Sequence, residues 1–522
     1  MEGDENFSVL EKELVTKSSP ESKLNMFINK SVKWLKKDKL NIYLVAVMLF
    51  AIAIRLYYFF AVGNQPLWWD ELCYGSLAKN LISGNWNGTA LISRESFIRP
   101  MLFPLVWAVL LFLKLPESII RFTLEIIPSI LSVFFVYLIG KEIYNKKVGI
   151  IAAFIFSTLW IHLFYSMRLL TNIPAMLFLF MGVYLFLIAI KKDLNYKYFF
   201  LSLFLLSIGT VIRYTSGMFF FLFLFMLFLE KKVYLKNKNF WISGLLGISP
   251  ILIFFLINLF VYGNIFPALL SGDYVNTAEL TSNPIGFHLL NFIFVYLKPL
   301  TFAFFLLGIS LIIFELSLGY NLISKSKNFR KSLFLVIYLV LFYSFFVFYM
   351  RVAEDRWLLE SSLALVIFAG YGLDFLYKYI KKYNKEIALI IILSLLVFGA
   401  YQQFTVAGPL IKQKQTSYLE MRQAFEWLKT TTPESTVILG SGIEPYAVYY
   451  AERNYETVPE NESDLIQTIS NSDYVLFHAF TPQSELLESY LSQNAQKVEL
   501  VNAFFFDVQQ QQPAVVIYKI KK

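Results

Sequence analysis

Residues 40–62 read LNIYLVAVMLFAIAIRLYYFFAV, an apolar run in which Arg55 is the single charged residue. About 20 mostly apolar residues are enough to cross a bilayer as a helix, so this run predicts a membrane span. Similar runs recur along the chain, whose residues are 57% hydrophobic and only 16% charged. Soluble proteins carry about a quarter charged residues. The composition therefore excludes a purely soluble or a disordered protein and predicts a polytopic α-helical membrane protein.

The apolar runs predict about eleven transmembrane helices. Their expected positions are 40–62, 118–140, 148–166, 172–190, 196–212, 215–229, 240–262, 289–317, 331–350, 357–377 and 386–406. With this count, 26 of the 46 Lys and Arg residues fall in segments on one side of the membrane. Basic loops mark the cytoplasmic side. The N-terminus is therefore expected in the cytoplasm and the C-terminus outside, and the net charge of +9 is attributed to topology and not to nucleic-acid binding.

Three regions follow from this topology. Residues 1–39 form a cytoplasmic segment, and residues 40–406 form the transmembrane domain of a protein of the plasma or cytoplasmic membrane. Within this domain, a long external loop spans residues 63–117. Residues 407–522 carry nine basic and 14 acidic residues and alternate helical with strand-like patterns. They predict a small extracytoplasmic α/β domain, with helices near 416–430, 462–470 and 483–493 and strands near 436–440, 473–478 and 514–520.

Asp70 and Glu71 are the first candidates for catalysis. They follow Trp68 and Trp69 just outside the first predicted span. One interpretation is a solvated pair of loop carboxylates beside interfacial aromatic residues. The other is a carboxylate held at the membrane surface to accept a proton from a hydroxyl nucleophile.

Cations on the predicted external side are the second group of candidates. Such residues often only extend from a helix end towards water. On the external side, however, they oppose the usual distribution of positive charge, and arginine binds phosphate through its planar fork. A lipid phosphate at the outer leaflet would explain them as a group. The candidates are Arg99, Arg356, Arg168, Arg213 and Lys79.

The sequence does not indicate a cofactor. Cys73 is the only cysteine, which excludes a disulfide framework. The three histidines form no ligand cluster in sequence, and His288 alone is expected near the acid pair. A divalent metal ion, if one binds, would therefore use Asp70, Glu71 and His288. No credible phosphate-binding glycine loop occurs, so nucleotide binding has no support.

These features together resemble membrane glycosyltransferases of the GT-C fold, in the branch of protein O-mannosyltransferases and bacterial aminoarabinose transferases. The resemblance covers the whole chain, from the cytoplasmic start through the long first external loop to the external tail. The matching motifs are Trp69-Asp70-Glu71 with Tyr74, Arg99-Pro100, Asn172-Ile173-Pro174, Glu354-Asp355-Arg356-Trp357-Leu358-Leu359 and Gly370-Tyr371-Gly372.

The resemblance implies an enzyme of class EC 2.4 that moves a hexose or pentose from a polyprenyl monophosphate, dolichyl or undecaprenyl, to a hydroxyl group outside the membrane, with inversion. It implies that Asp70 is the catalytic carboxylate and that Arg99 contacts the donor phosphate. The residues implied for acceptor or sugar binding are Tyr74, Asn172, Glu354, Asp355 and His288. The acceptor, whether protein, lipid or glycan, stays open.

The chain departs from the family at several positions. Asn172 replaces a frequent Asp, while Cys73 and Ile98 replace charged residues of the aminoarabinose transferases, which argues against lipid A as acceptor. Glu360 replaces the Pro of a Leu-Leu-Pro signature. Two alternatives remain. A transporter or flippase of an anionic lipid-linked sugar would need more charges near the bilayer centre than the sequence offers. An oligosaccharyltransferase would carry a Trp-Trp-Asp-Tyr-Gly motif in the tail, which is missing.

Overall fold

The structure, a computed structural model, describes residues 25, 29, 32–84, 100–230, 232–265, 293–319, 327–350, 355–507, 509 and 511–521. The part up to residue 413 is helical. Its main helices are Lys39–Val62, Asp70–Ile82, Leu102–Phe112, Glu117–Ile143, Lys146–Thr158, Trp160–Tyr165, Asn172–Lys191, Tyr196–Ile212, Phe219–Glu230, Lys238–Gly247, Ser249–Tyr262, Ile293–Gly319, Lys327–Ser344, Ser362–Lys381 and Lys385–Gln413. Short turns of 3₁₀ helix over Tyr214–Met218 and Asp355–Ser361 precede two of them.

Seven helices in the described residues are long and apolar enough to cross a membrane, which confirms the prediction of a polytopic membrane protein. An eighth span results if the helices Lys238–Gly247 and Ser249–Tyr262, which bend by 51° at their junction, cross together. The remaining predicted spans, 148–166, 196–212 and 215–229, coincide with shorter or interrupted helices. The count of eleven therefore stays a prediction.

Asparagine and aspartate side chains begin five of the helices that start on the predicted cytoplasmic side. Each accepts a hydrogen bond from a backbone N–H of the first turn and so satisfies a donor that the helix itself leaves unpaired. The capping residues are Asp38, Asn145, Asn195, Asn237 and Asn384. These capping residues therefore fix where each of these apolar helices begins.

Two helices cross in backbone contact at Gly308 and Gly372. A Cβ atom on Gly308 would lie 1.9 Å from the carbonyl oxygen of Phe368, and one on Gly372 would lie 2.4 Å from that of Phe304. Small residues allow this approach where lipid supplies no hydrophobic drive between helices. Gly372 of the Gly370-Tyr371-Gly372 motif therefore packs Ser362–Lys381 against Ile293–Gly319, while Gly370 packs it against Lys146–Thr158.

The tail contains a five-stranded sheet with the spatial order β2-β1-β3-β5-β4. The strands are β1 (Val437–Leu439), β2 (Asn454–Glu456), β3 (Tyr474–His478), β4 (Val498–Phe505) and β5 (Pro513–Ile520). β1 pairs in parallel with β2 and β3, whereas β5 is antiparallel to β3 and β4. Helices Leu419–Thr431, Glu462–Asn471 and Glu485–Gln493 accompany the sheet. β2 and β4 are strands that the sequence patterns did not indicate.

The tail packs against the helix Asp70–Ile82 in one hydrophobic core. Leu72 and Ala78 of the helix Asp70–Ile82 belong to the same buried cluster as Phe425 and Ile438 of the tail. At the edge of this core, the Nζ atom of Lys79 lies 2.7 Å from Oε1 of Glu452. The tail therefore holds the helix that begins with Asp70 in place.

Candidate active site

Asp70 pairs with Arg356, although 286 positions separate them in the sequence. Nη1 of Arg356 lies 2.5 Å from Oδ2 of Asp70. The Asp70 side chain is 20% exposed and the Arg356 side chain is 23% exposed, so both can meet a substrate from outside the protein. Asp70 is the first residue of its helix, and Trp69 before it has a φ of 34°, in the left-handed region that strains an ordinary residue. Such strain clusters at functional sites.

Three side chains from other helices hold the segment that carries Arg356. The Asn172 amide donates to the carbonyl oxygen of Arg356 at 3.0 Å, and the Tyr165 hydroxyl donates to Oδ1 of Asp355 at 2.7 Å. The Tyr296 hydroxyl donates to the carbonyl oxygen of Asp355. Both tyrosines were missed at the sequence level. Arg356 is thus aimed at Asp70 by a segment that is fixed at two consecutive residues.

Glu71 has a different environment from its neighbour. It is completely buried, and its carboxylate accepts from Nε and Nη2 of Arg168 at 2.9 and 2.5 Å. The backbone N–H groups of Leu169 and Trp68 also donate to it, at 2.7 and 3.2 Å. Burial lowers the pKa of the Arg168 guanidinium, and the Glu71 carboxylate opposes that shift. Glu71 and Arg168 therefore balance each other's charge inside the protein.

The short turn from Arg168 to Asn172 joins these two pairs. Its Leu170 N–H donates to Oε1 of Glu125 at 3.0 Å, and Glu125 is fully buried in a stretch of π-helix, Phe122–Ile126. π-helical turns often occur at functional sites. The Tyr74 hydroxyl lies 3.5 Å from the Thr171 hydroxyl on the other side of the turn. An acid inside an apolar span is itself a signal for function, and it would have pointed to Glu125.

Arg213 lies beside the segment of Arg356 but has its own buried partner. Its Nε lies 3.4 Å from Oε1 of Glu360, and its guanidinium is 4.8 Å from the centre of the Trp357 ring. Thr215 accepts a hydrogen bond from the same Nε. Glu360, where the family signature has Pro, thus serves as the counter-ion of Arg213.

The sequence of residues 98–257 matches the family described as dolichyl-phosphate-mannose-protein mannosyltransferase. No curated protein matches the chain in sequence. In three dimensions it is similar to ArnT from Cupriavidus metallidurans bound to undecaprenyl phosphate. The two share 12% identity over 91% of this chain and 97% of ArnT, with a TM-score of 0.60. It is also similar to the oligosaccharyltransferase AglB from Archaeoglobus fulgidus, in complex with an inhibitory peptide and a dolichol-phosphate. Here 13% identity extends over 85% of this chain and 70% of AglB, with a TM-score of 0.57.

A third similar structure is the arabinofuranosyltransferase AftD from Mycobacteria, with 10% identity, a TM-score of 0.54, and coverage of 91% of this chain and 41% of AftD. These glycosyltransferases share one membrane architecture. The chain has the GT-C fold. The fold expected from the sequence motifs is therefore confirmed, and Asp70 of the pair Asp70–Arg356 lies near the start of the predicted first external loop.

Lys79, another predicted site residue of this GT-C chain, is not part of the Asp70 cluster. Lys79 donates to Glu452 and to the carbonyl oxygen of Tyr449, so the tail occupies it. Arg99, His288 and Glu354 lie outside the described residues.

The described residues do not suit a bound metal ion. Among them, no group of three His, Cys, Asp or Glu side chains is arranged to hold one. Four hydrogen-bond donors already surround Glu71, one of the predicted ligands. No chemical step is therefore assigned to a metal.

Proposed function

We propose that this protein is a glycosyltransferase that moves a sugar from a polyprenyl monophosphate to a hydroxyl acceptor on the external face of the membrane, with inversion. The observation that carries the proposal is the partly exposed ion pair of Asp70 and Arg356, since it joins a proton acceptor to a cation that can bind phosphate. The match to the mannosyltransferase family and the undecaprenyl phosphate and dolichol-phosphate bound to the similar structures support this donor class. No feature of the described residues favours a transporter.

In the proposed reaction, Asp70 accepts the proton of the acceptor hydroxyl. The hydroxyl oxygen attacks the anomeric carbon of the sugar while the bond from that carbon to the phosphate oxygen breaks. The polyprenyl phosphate leaves with the bonding electrons, and the new glycosidic bond has the opposite configuration. Arg356 stabilises the charge that develops on the leaving phosphate. A fixed donor aimed at developing charge contributes about 2.7–4 kcal/mol.

Asp70 and Glu71 have separate roles in this proposal. Asp70 remains reachable, whereas Glu71 has no exposed surface and is held by two nitrogen atoms of Arg168. We therefore assign catalysis to Asp70 and positioning to Glu71. Arg356 takes the donor phosphate, while Arg168, Arg213 and Lys79 carry carboxylate partners of their own. Asn172 positions Arg356 through its backbone.

The proposal includes the finer topology. Eleven spans place the N-terminus in the cytoplasm and residues 407–522 outside, where the tail covers the helix that begins with Asp70. On this arrangement residues 1–39 are cytoplasmic, and residues 40–406 form the transmembrane domain. Cysteine-labelling from either side of the membrane, at residues 64 and 193, tests the orientation.

Transfer by the purified protein in nanodiscs tests the chemistry. A panel of polyprenyl-phosphate hexoses and pentoses, each with a labelled sugar, is incubated with membrane extract as acceptor source. We expect Asp70→Asn to abolish transfer and Arg356→Gln to lower kcat about 10²–10³-fold, the effect of removing one fixed donor. NMR of the product reports whether the anomeric configuration is inverted.

Asp193→Asn is the matched control, because Asp193 is an exposed carboxylate on a predicted cytoplasmic loop. It should transfer at the rate of the unmodified protein. Size-exclusion profiles establish that each variant is folded. Undiminished turnover by folded Asp70→Asn protein would refute the mechanism.

A further inference from the structure

Two tyrosines of the tail bind the backbone that leads into Asp70. The Leu67 N–H donates to the Tyr450 hydroxyl at 2.8 Å, across 383 positions of sequence. The Trp69 N–H donates to the Tyr446 hydroxyl. Leu67 is completely buried, so its N–H would otherwise lack a partner, and an unpaired buried donor costs free energy. The tail therefore supplies hydrogen-bond acceptors to this segment.

The segment needs this support because Trp69 is strained. Its left-handed φ costs energy for a residue with a side chain, and such a conformation persists only where the surroundings fix it. Trp69 directly precedes Asp70, so its backbone angles set the direction in which the helix Asp70–Ile82 begins. Between the two tyrosine contacts, the Trp68 N–H donates to Oε2 of Glu71 at 3.2 Å. Three consecutive N–H groups are thus fixed, two of them by the tail.

The two tyrosines belong to one short segment that is itself held firmly. Tyr446 ends a helical turn, and Tyr450 lies in the π-helix Ala447–Ala451 that follows it. Residues four positions apart lie on the same face of a helix, so both hydroxyls can reach the same stretch of backbone. Both side chains are buried. Just after them, Arg453 donates to two carbonyl oxygens at the end of the helix Leu419–Thr431, at 2.7 and 2.6 Å, and so ties the segment to the tail.

The same segment also contacts the helix that Asp70 begins. A Cβ atom on Gly75 would lie 2.5 Å from Cε2 of Tyr449, so only glycine allows this approach. Glycine weakens the interior of a helix relative to alanine, and the close contact explains its presence. One turn further on, Lys79 donates to the carbonyl oxygen of Tyr449 at 2.8 Å. The tail therefore holds both the backbone before Asp70 and the helix after it.

We propose that Tyr446 and Tyr450 are positioning residues for sugar transfer. Their hydroxyls hold Trp69 in its left-handed conformation, and this conformation directs Asp70 towards Arg356. Without the hydroxyls, the φ of Trp69 relaxes towards the ordinary range and turns Asp70 away from its partner. The tail is thus a part of the active site. That the positioning serves transfer rests on the proposed function, whereas the two hydrogen bonds can be tested without turnover.

Kinetics of the full-length protein in nanodiscs test the role in transfer. Tyr446→Phe and Tyr450→Phe each remove one hydroxyl group and keep the aromatic ring in the core. We expect each to lower kcat about fivefold, the effect of losing one hydrogen bond between neutral groups. KM for the polyprenyl-phosphate sugar should stay unchanged, because the variants keep Arg356. In the Arg356→Gln background the same two changes should cost less, because Asp70 has already lost the partner towards which it is directed.

Two further variants complete the series. Gly75→Ala should also lower kcat, because its methyl group displaces the helix from Tyr449, although alanine by itself favours a helix. Tyr490→Phe is the matched control. Its hydroxyl meets Lys497 within the tail, so kcat should equal that of the unmodified protein. A general loss of folded protein would instead lower activity by the same factor with and without Arg356, and this result would overturn the positioning role.

Hydrogen exchange followed by mass spectrometry reports on the two hydrogen bonds without any turnover. In Tyr446→Phe and Tyr450→Phe, we expect faster exchange confined to peptides that cover Leu67–Trp69, because these N–H groups lose their acceptors. Unchanged exchange in these peptides overturns the proposal. Faster exchange together with an unchanged kcat overturns the positioning role and leaves the proposed function intact. If the unmodified protein transfers no sugar, the proposed function is refuted, and the role in catalysis falls with it even where exchange confirms the two hydrogen bonds.

Discussion

Replacing Glu71 by Gln should destabilise the protein much more than replacing Asp70 by Asn, although the two acids are adjacent. Four donors converge on the Glu71 carboxylate, two of them from Arg168. A glutamine amide offers one oxygen and turns its NH₂ group towards two of these donors. It also leaves the buried Arg168 guanidinium without its counter-ion. Breaking a buried ion pair in this way costs about 3–5 kcal/mol.

The matched change at Asp70 should be mild for stability. The Asp70 and Arg356 side chains are 20% and 23% exposed, so water can reach the arginine that loses its partner, and the cost should be smaller than that of a fully buried pair, about 3–5 kcal/mol. Asp70→Asn should therefore unfold close to the unmodified protein while its transfer activity disappears. Glu71→Gln should show reduced stability and retain some transfer wherever it is folded.

SDS-induced unfolding in mixed micelles, followed by tryptophan fluorescence and circular dichroism, measures both free energies. The double variant Glu71→Gln/Arg168→Gln completes a mutant cycle, and it should cost less than the sum of its parts because neither charge is left alone. The assignment of Glu71 to positioning is refuted if Glu71→Gln unfolds within about 1 kcal/mol of the unmodified protein, the range of an exposed pair. It is equally refuted if the cycle shows no coupling.

Two further predictions concern the supports of the site. Asn172→Ala removes the amide that donates to the Arg356 carbonyl oxygen. Losing this hydrogen bond costs about 1 kcal/mol, so kcat in the transfer assay should fall roughly fivefold while expression is unchanged. An unaltered kcat would exclude this positioning role. Burial opposes ionisation of Glu452, but hydrogen bonds from Lys429 and Lys79 outweigh it, so the pKa of Glu452 is lowered. A lowered pKa stabilises the folded state above the ordinary glutamate pKa and is lost as pH falls through the folded value. Hydrogen exchange in the helix Asp70–Ile82 should therefore accelerate below about pH 4.5, the ordinary glutamate pKa, and Glu452→Gln should show the faster exchange at neutral pH; a variant that exchanges like the parent at every pH would contradict this.

The membrane fold could be predicted from the sequence because each apolar run is a local signal. Helix starts at Asn145 and Asn384 are also local, since a capping side chain bonds to N–H groups within three residues. The strands β2 and β4 were not predicted. β2 is three residues long, and β4 has irregular register against β5, so neither shows the clean alternation that marks a half-buried strand.

The candidate site was only partly predictable. Asp70, Arg356 and Asn172 lie together in the structure, and their roles in the reaction stay predictions. The pairing of Glu71 with Arg168 joins residues 97 positions apart, and no spacing rule connects them. Position in the sequence also could not show which of the two adjacent acids, Asp70 or Glu71, is exposed and which is buried. Asp70 and Glu71 are the first two residues of a helix, so their side chains point about 100° apart, and Asp70 stays partly exposed while Glu71 enters the protein.

Counter-ions distinguish the cations that serve structure from those that serve chemistry. A buried arginine with its own carboxylate has already balanced its charge, and a phosphate arriving there would have to displace that carboxylate in a medium of low dielectric constant. Arg168 and Arg213 are in this situation. Arg356 shares a partly exposed carboxylate that the proposed reaction itself protonates. When Asp70 gains the proton of the acceptor, its charge is neutralised, and the attraction of Arg356 transfers to the phosphate as negative charge develops there. The cation that pairs with Asp70 before the reaction therefore stabilises the leaving group once Asp70 is protonated. For this reason, an acid and a cation in contact indicate the chemistry better than either residue alone.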